Sequence, residues 1–308
     1  MSNQITIRSD QLRATLSPNG ARLETLHLDG GPTLLLHADA EVYPEWRDCY
    51  PGAIVGPIAN RVRGGTFDLD GQRHQMPCNE NGVTALHSGP NGIDRHDWVI
   101  SDQQDNRVKF QLTLADGAGG LPGVRNIEVD YSLEGACLRL EISMTSNRPT
   151  PAAFAHHPYW CLGTASAHKL QINATHYLPV DSQNLPEGRR AAVAKTPFDH
   201  RIATTPDPEI DHNFCIANAR SDTVRPVATL TGAHGLRLRI ESTEPGLQVY
   251  AGAYLPTLPG TGIGPGAGLA LEPQGWPDAV NHTDFPDVLC TPDRPYRQIT
   301  RYHLDTVT

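Results

Sequence analysis

The sequence has no run approaching the ~20 apolar residues that a membrane-spanning helix needs, and its start, MSNQITIRSDQLRATLSP, lacks the apolar centre of a signal peptide. The expectation is a cytoplasmic protein with no membrane partner. It also lacks a Lys/Arg-rich run: 25 Lys+Arg stand against 34 Asp+Glu, a formal charge of −9, and the pI is about 5.8. Phosphate backbones and anionic lipids require clustered cations, so no nucleic-acid partner is expected and a small, uncharged ligand is. No CxxC pair occurs. Six cysteines (Cys49, Cys78, Cys137, Cys161, Cys215 and Cys290) are scattered through 308 residues, which suits free buried thiols better than a disulfide framework or a zinc knuckle. No segment of ten or more residues carries apolar positions at i, i+3, i+4, i+7 without Gly or Pro, so helices should be few and short, which argues against an α/β fold. No fixed-period repeat, low-complexity tract or linker-length polar stretch divides the chain, and residues 1–308 are expected to form a single domain.

What the sequence does contain is turns and period-2 alternation. There are 28 Gly and 26 Pro, too many turn formers for a helical bundle. In TFDLDGQRHQM, Asp70-Gly71 stands between two alternating arms, a hairpin signal. In NIEVDYSLEGACLRLEISMTS, Ile127, Val129, Tyr131 and Leu133 alternate with polar residues, Glu134-Gly135 turns the chain, and Leu138, Leu140, Ile142 and Met144 resume the pattern. Further strand-like runs are ATLSP after Arg13, RLETLHL ending at Leu28, RVKFQLTL, TLTG at Thr229, LRLRIES from Leu236, GLQVYA from Gly246 and RQITRYHL near the end. Many short strands at turn-punctuated intervals predict a large all-β antiparallel sandwich. The Gly/Pro-rich LPTLPGTGIGPGAGLALE fits neither GxGxxG opening a helix nor GxxxxGK[ST], so it reads as a functional loop and not a phosphate cradle.

Fourteen histidines raise the question of a metal, with His156-His157, His87, His96, His200 and His212 as candidates. Spacing argues against one. There is no HExxH and no HxH with a downstream Glu, and adjacent residues on a strand face opposite ways. Five clusters place a titratable residue among apolar, aromatic or small neighbours: GPIANRV at Asn60 and Arg61, ALHSG at His87, AFAHHPYWCLG at His157, EIDHNF at Asp211, and LALEPQGWPDAVNH at Glu272. Glu272 after GLAL reads as a carboxylate at the end of a buried strand, where desolvation raises its pKa and suits it to general-base work. His157 beside Pro, Tyr and Trp reads as a general acid in an aromatic-walled pocket. Equally, Glu272 and Arg61 fit the two halves of a structural ion pair. Ser88 and Ser242 have no GxSxG setting.

Taken in order, GPIANRVRGGTFDLDG, NGVTALHSGPNGIDRHDW, HHPYWCLG, YLPVDSQNLPEG with TPFDHR, DHNF, TEPGLQVYAG and LALEPQGWPDAVNH resemble the motifs of the aldose 1-epimerase (galactose mutarotase) family. The resemblance spans nearly the whole chain. It implies a β-sandwich of the galactose mutarotase type with an open sugar cleft, a small-molecule sugar substrate, and no metal or organic cofactor. Position by position it implies Glu272 as general base and His157 as general acid, with Arg61, His87 and Asp211 binding sugar hydroxyls. Asn60, Tyr159 and Gln274 stand beside them. The chain departs from the pattern at LHSG for LHGG, YWCL for YFNL, PEG for PTG and the absence of an Arg two residues after the Gly of GPIANR. Trp160 and Cys161 near the acid bear on which sugar is accepted more than on the reaction. Alternatives on the same residues are a non-catalytic sugar-binding or regulatory module and a cupin-like metal enzyme. A monomer or weak homodimer is expected.

Overall fold

The alternating segments fold as strands at or near the limits their periodicity sets. A computed structural model describes residues 4–306 of the chain. Arg22–Leu28, Arg107–Leu114 and Leu236–Ser242 are strands over the segments read from the pattern, since residues two apart share a face and one face is buried. Asp70 and Gly71 join Thr66–Leu69 to Gln72–Gln75. Both have positive φ, 51° and 72°, as a two-residue hairpin of matching twist requires. In the longer hairpin Glu134 pairs with Cys137, so the turn is Gly135-Ala136, one place later than Glu134-Gly135. Gly135 takes φ +52°, a conformation that a glutamate would hold at a cost.

An eight-stranded sheet runs in the order Lys169–Ile172, Arg225–Thr231, Leu236–Ser242, Tyr296–Thr306, Cys137–Ser146, Arg125–Glu134, Arg107–Leu114, Val99–Gln104. A six-stranded sheet runs Tyr159–Trp160, Leu269–Gln274, Gly246–Tyr250, Asp211–Cys215, His176–Tyr177, Ala191–Ala192. Neighbouring strands are antiparallel throughout both. Among the described residues, helical structure amounts to eight 3-10 turns of three residues each, and no helix is long and apolar enough to cross a membrane.

Tyr131, Ile142, Ile240 and Tyr302 of the larger sheet share one apolar cluster with Phe214, Leu247, Val249 and Leu271 of the smaller. This is a β-sandwich packed face to face, in which each fully buried aliphatic side chain contributes about 1.5–3 kcal/mol. The other face of the six-stranded sheet is polar. Register sets Asn213 opposite Gln248 and Gln248 opposite Glu272, so a row of amides ending in a carboxylate crosses the sheet. All three are buried.

Candidate active site

A cleft of about 430 Å³ opens over that polar row. Of the eight residues singled out in the sequence, Asn60, Arg61, His87, His157, Tyr159, Asp211 and Glu272 line it. Gln274 does not. It is fully buried and pairs with Gly246 at the end of its strand, two residues before Trp276, whose indole N–H donates to the Pro245 carbonyl (3.0 Å). Of the eight, Gln274 is thus the residue that the structure does not bring to the cleft lining.

His157 directly follows the two-residue strand Ala155–His156, which pairs with Ile54–Val55. Adjacent side chains point opposite ways. The His156 ring faces the core, with Nδ1 3.1 Å from the Tyr302 hydroxyl and its centroid 5.7 Å from that of Tyr131. The His157 ring faces the cleft between Tyr50, His87 and Tyr159, at centroid distances of 5.9, 5.5 and 5.1 Å. Its Nε2 lies 3.5 Å from Glu272 Oε1. Glu272 is the fourth residue of the six-residue strand Leu269–Gln274, inside it and not at its end, and only 2% exposed. Burial raises its carboxyl well above the usual range; Asp211 adds to the rise and Arg61 opposes it. Burial lowers the His157 imidazolium to about 4.

Asn60 and His87 are locked together. The His87 amide donates to the Asn60 carbonyl (3.0 Å), and the Asn60 amide donates to His87 Nδ1 (3.1 Å). A backbone N–H can only donate, so the neutral His87 ring carries its proton on Nε2. Burial, with His157 and the nearby arginines, keeps it neutral by driving its pKa well below 6.5. His87, His157 and Glu272 offer ligand atoms within 4.8 Å of one another, yet His87 Nε2–H presents a proton instead of a lone pair. The cluster thus offers a metal two donor side chains and a hydroxyl three polar neighbours.

Arg61 is held by Glu80 through two bonds, Nε–Oε2 2.8 Å and Nη2–Oε1 3.0 Å, and its Nη1 lies 3.5 Å from Asp211 Oδ2. Burial pulls its pKa down, but Asp211 and Glu80 outweigh burial and the guanidinium stays charged. Gln248 donates to Asp211 Oδ1 (2.5 Å), fixing that carboxylate beside Glu272. Glu80, Gln248, Tyr50 and Tyr250 line the cleft and were not anticipated. Gln248 had a signal, a polar residue at a buried position of GLQVYA. Glu80, in the NENG turn, had none.

Two of the departures from the family pattern are resolved by direction. Tyr159 faces the cleft, while Trp160 is fully buried on the other side of its strand with its ring 5.1 Å from Tyr302. Cys161 Sγ meets the Gly163 carbonyl at 2.9 Å, and neither residue lines the cleft. The expected effect of Trp160 and Cys161 on sugar choice therefore has no contact to act through. Ser88 stands at φ +70°, a backbone that suits glycine and costs another residue ~1–2 kcal/mol. Its buried hydroxyl offsets this by accepting from the Ile58 amide (2.9 Å) and donating to the Ile58 carbonyl (3.3 Å), which ties the LHSG turn to the ANR turn.

The sequence matches the aldose 1-epimerase family over residues 3–303. It is 33% identical to the galactose mutarotase of Bos taurus, over 96% of this chain and 91% of that one. Identity to the aldose 1-epimerase of Escherichia coli (strain K12) is 32%, over 97% and 94%. Among solved structures, an aldose epimerase homologue from C. elegans superposes with a TM-score of 0.91 at 28% identity, covering both chains in full. A galactose 1-epimerase from Lactobacillus acidophilus NCFM gives 0.88 at 28% identity, over 99% of this chain and 95% of that one. The chain belongs to the aldose 1-epimerase family.

Proposed function

We propose that the chain is a mutarotase acting on a free neutral monosaccharide, with Glu272 as general base and His157 as general acid. The observation that carries the assignment is a buried carboxylate and imidazole 3.5 Å apart, facing a cleft set with hydrogen-bonding groups. As a carboxylate, Glu272 takes the proton of the anomeric hydroxyl while protonated His157 gives one to the ring oxygen. The C1–O5 bond breaks and a C1 aldehyde forms. The C1–C2 bond rotates, and O5 attacks the other face of the carbonyl as Glu272 returns its proton and His157 takes one back. In this reading Arg61, His87 Nε2–H and Asp211 hold the hydroxyls, with Asn60 fixing His87 and Tyr159 walling the acid. The apolar cluster running from Ile5 to Leu304 supports one domain over residues 1–308.

Saturation transfer between α and β anomers, measured by NMR across neutral hexoses and pentoses, tests the activity. Acceleration by a catalytic amount of protein is expected; saturable binding without acceleration would indicate a sugar-binding module.

The pH dependence follows from the two shifts. With His157 lowered to about 4 and Glu272 raised, the pair holds one mobile proton throughout the interval between those values. Below pH 4 a second proton blocks the base, and above the Glu272 pKa the acid has none to give. A plateau in kcat/KM is expected, its acid limb set by the imidazole and its basic limb by the carboxyl, the reverse of the usual order. An NMR titration of the His157 ring, assigned by difference against His157→Gln, should show a midpoint near 4. A midpoint near the usual 6.5 would overturn the ordering.

Charge sets the substrate class. Glu80 and Asp211 line the cleft with Asp48, and Arg61 is already bonded to the first two. An anionic sugar finds no free cation, and unfavourable like-charge approach of about 3 kcal/mol corresponds to a ~100-fold lower kcat/KM for a hexose 6-phosphate than for the parent hexose. Comparable turnover of the two would contradict a neutral substrate.

A further inference from the structure

The core-facing side of the Tyr296–Thr306 strand is polar where its neighbour is not. Tyr296, Gln298, Thr300 and Tyr302 are each at most 2% exposed and stand opposite Met144, Ile142, Leu140 and Leu138. A hydroxyl or amide in such surroundings is costly unless bonded, and these find partners at particular places. The Tyr296 hydroxyl accepts from the Phe154 amide (3.3 Å) and donates to Gln298 Oε1 (2.8 Å). Gln298 Nε2 donates across the sandwich to the Pro273 carbonyl (2.9 Å). The Tyr302 hydroxyl meets His156 Nδ1 at 3.1 Å. Phe154 and His156 belong to the segment that presents His157, and Pro273 is the residue after Glu272.

The two segments need such a link. The strand bearing Glu272 lies in the six-stranded sheet, whereas Ala155–His156 pairs in a separate two-stranded ribbon with Ile54–Val55. After His157 the chain joins the Glu272 strand through Tyr159 opposite Ala270. Before His157, the Phe154 amide, Tyr296, Gln298 and the Pro273 carbonyl form a continuous hydrogen-bonded bridge. Pro273 has no N–H, so its carbonyl is the backbone group it can offer.

We infer that Tyr296 and Gln298 are positioning residues, a bridge from the opposite sheet that sets how far the imidazole of His157 stands from the carboxyl of Glu272. The inference rests on the acid and base assignment above. It touches no sugar, so its signature is kcat without KM. Gln298→Met keeps the length and bulk of the side chain and removes both bonds. Its kcat is expected to fall ~10–100-fold, as misplacement of a reacting group by about 1 Å does, while KM stays within about 3-fold because the cleft residues Arg61, His87 and Asp211 remain.

Thr300→Val serves as the comparison. Thr300 is equally buried on the same face, with its hydroxyl 3.1 Å from Ser242 Oγ, and it should leave kcat unchanged whatever it does to the melting temperature. Tyr296→Phe, which keeps the ring and removes the hydroxyl that orients Gln298, should give a smaller fall than Gln298→Met and replaces it if that variant does not fold. Glu272→Gln is assayed in parallel. Wild-type kcat in folded Gln298→Met or Tyr296→Phe, with Glu272→Gln inactive, overturns the bridge and leaves the catalytic pair standing. A kcat loss matched by Thr300→Val overturns it too, since the loss would then follow stability. Activity retained in Glu272→Gln overturns the pair itself.

Discussion

Glu272→Gln is expected to lower kcat for anomer exchange by about 10²–10⁴ while the protein stays folded. The amide keeps the shape of the carboxyl but lacks the basicity that the proposed transfer of the anomeric proton requires. Stability should change little, because the amide matches the shape of a carboxyl whose pKa burial raises well above the usual range. KM should change little, since Arg61, His87 and Asp211 are untouched. The saturation-transfer rate and a thermal melt on the same preparation decide the matter. Exchange within about 3-fold of wild type in a folded variant would exclude Glu272 as the base.

The largest effect on stability is expected at Arg220. Its Nε lies 2.8 Å from Oε1 of Glu244, a carboxylate with no exposure, and its guanidinium stands 4.0 Å over the Tyr296 ring. Burial raises the Glu244 carboxyl and Arg220 pulls it back. Arg220→Met leaves that buried carboxyl without its ion-pair partner, and breaking such a pair costs about 3–5 kcal/mol, on the order of 10 °C in melting temperature for a chain of this size. Arg220→Met with Glu244→Leu should recover much of the loss, because no uncompensated charge remains. A single variant that melts with wild type, or a double variant no better than the single, would show that the pair is not what holds this corner.

The long strands were legible because each of them buries one face. Arg107–Leu114 shows it plainly, with Val108 and Phe110 buried and Arg107, Lys109 and Gln111 partly or fully exposed. Tyr159–Trp160, His176–Tyr177 and Ala191–Ala192 span two residues each, too few to display a period. The strand bearing Glu272 is buried at all six positions, so alternation is absent and it read only as an apolar run ending in a carboxylate. In the site, the neighbours of Pro, Trp and small residues stood out, and the opposed faces of adjacent residues do separate His156 from His157. Glu80 could not stand out. Its role exists only through Arg61, which is 19 residues away in sequence and 2.8 Å away in space.

The enclosure of the acid and base has a consequence for isotopes and buffers. In the proposed mechanism ring opening moves one proton onto Glu272 and one off His157, and closure reverses both transfers, so each turnover would return the two groups to their starting state without drawing on bulk water. His157 and Glu272 are 5% and 2% exposed, and a closed proton circuit of this kind would operate in groups so nearly sealed. Turnover should be indifferent to buffer concentration at fixed pH, and a proton carried in on the anomeric oxygen can leave on the same sugar.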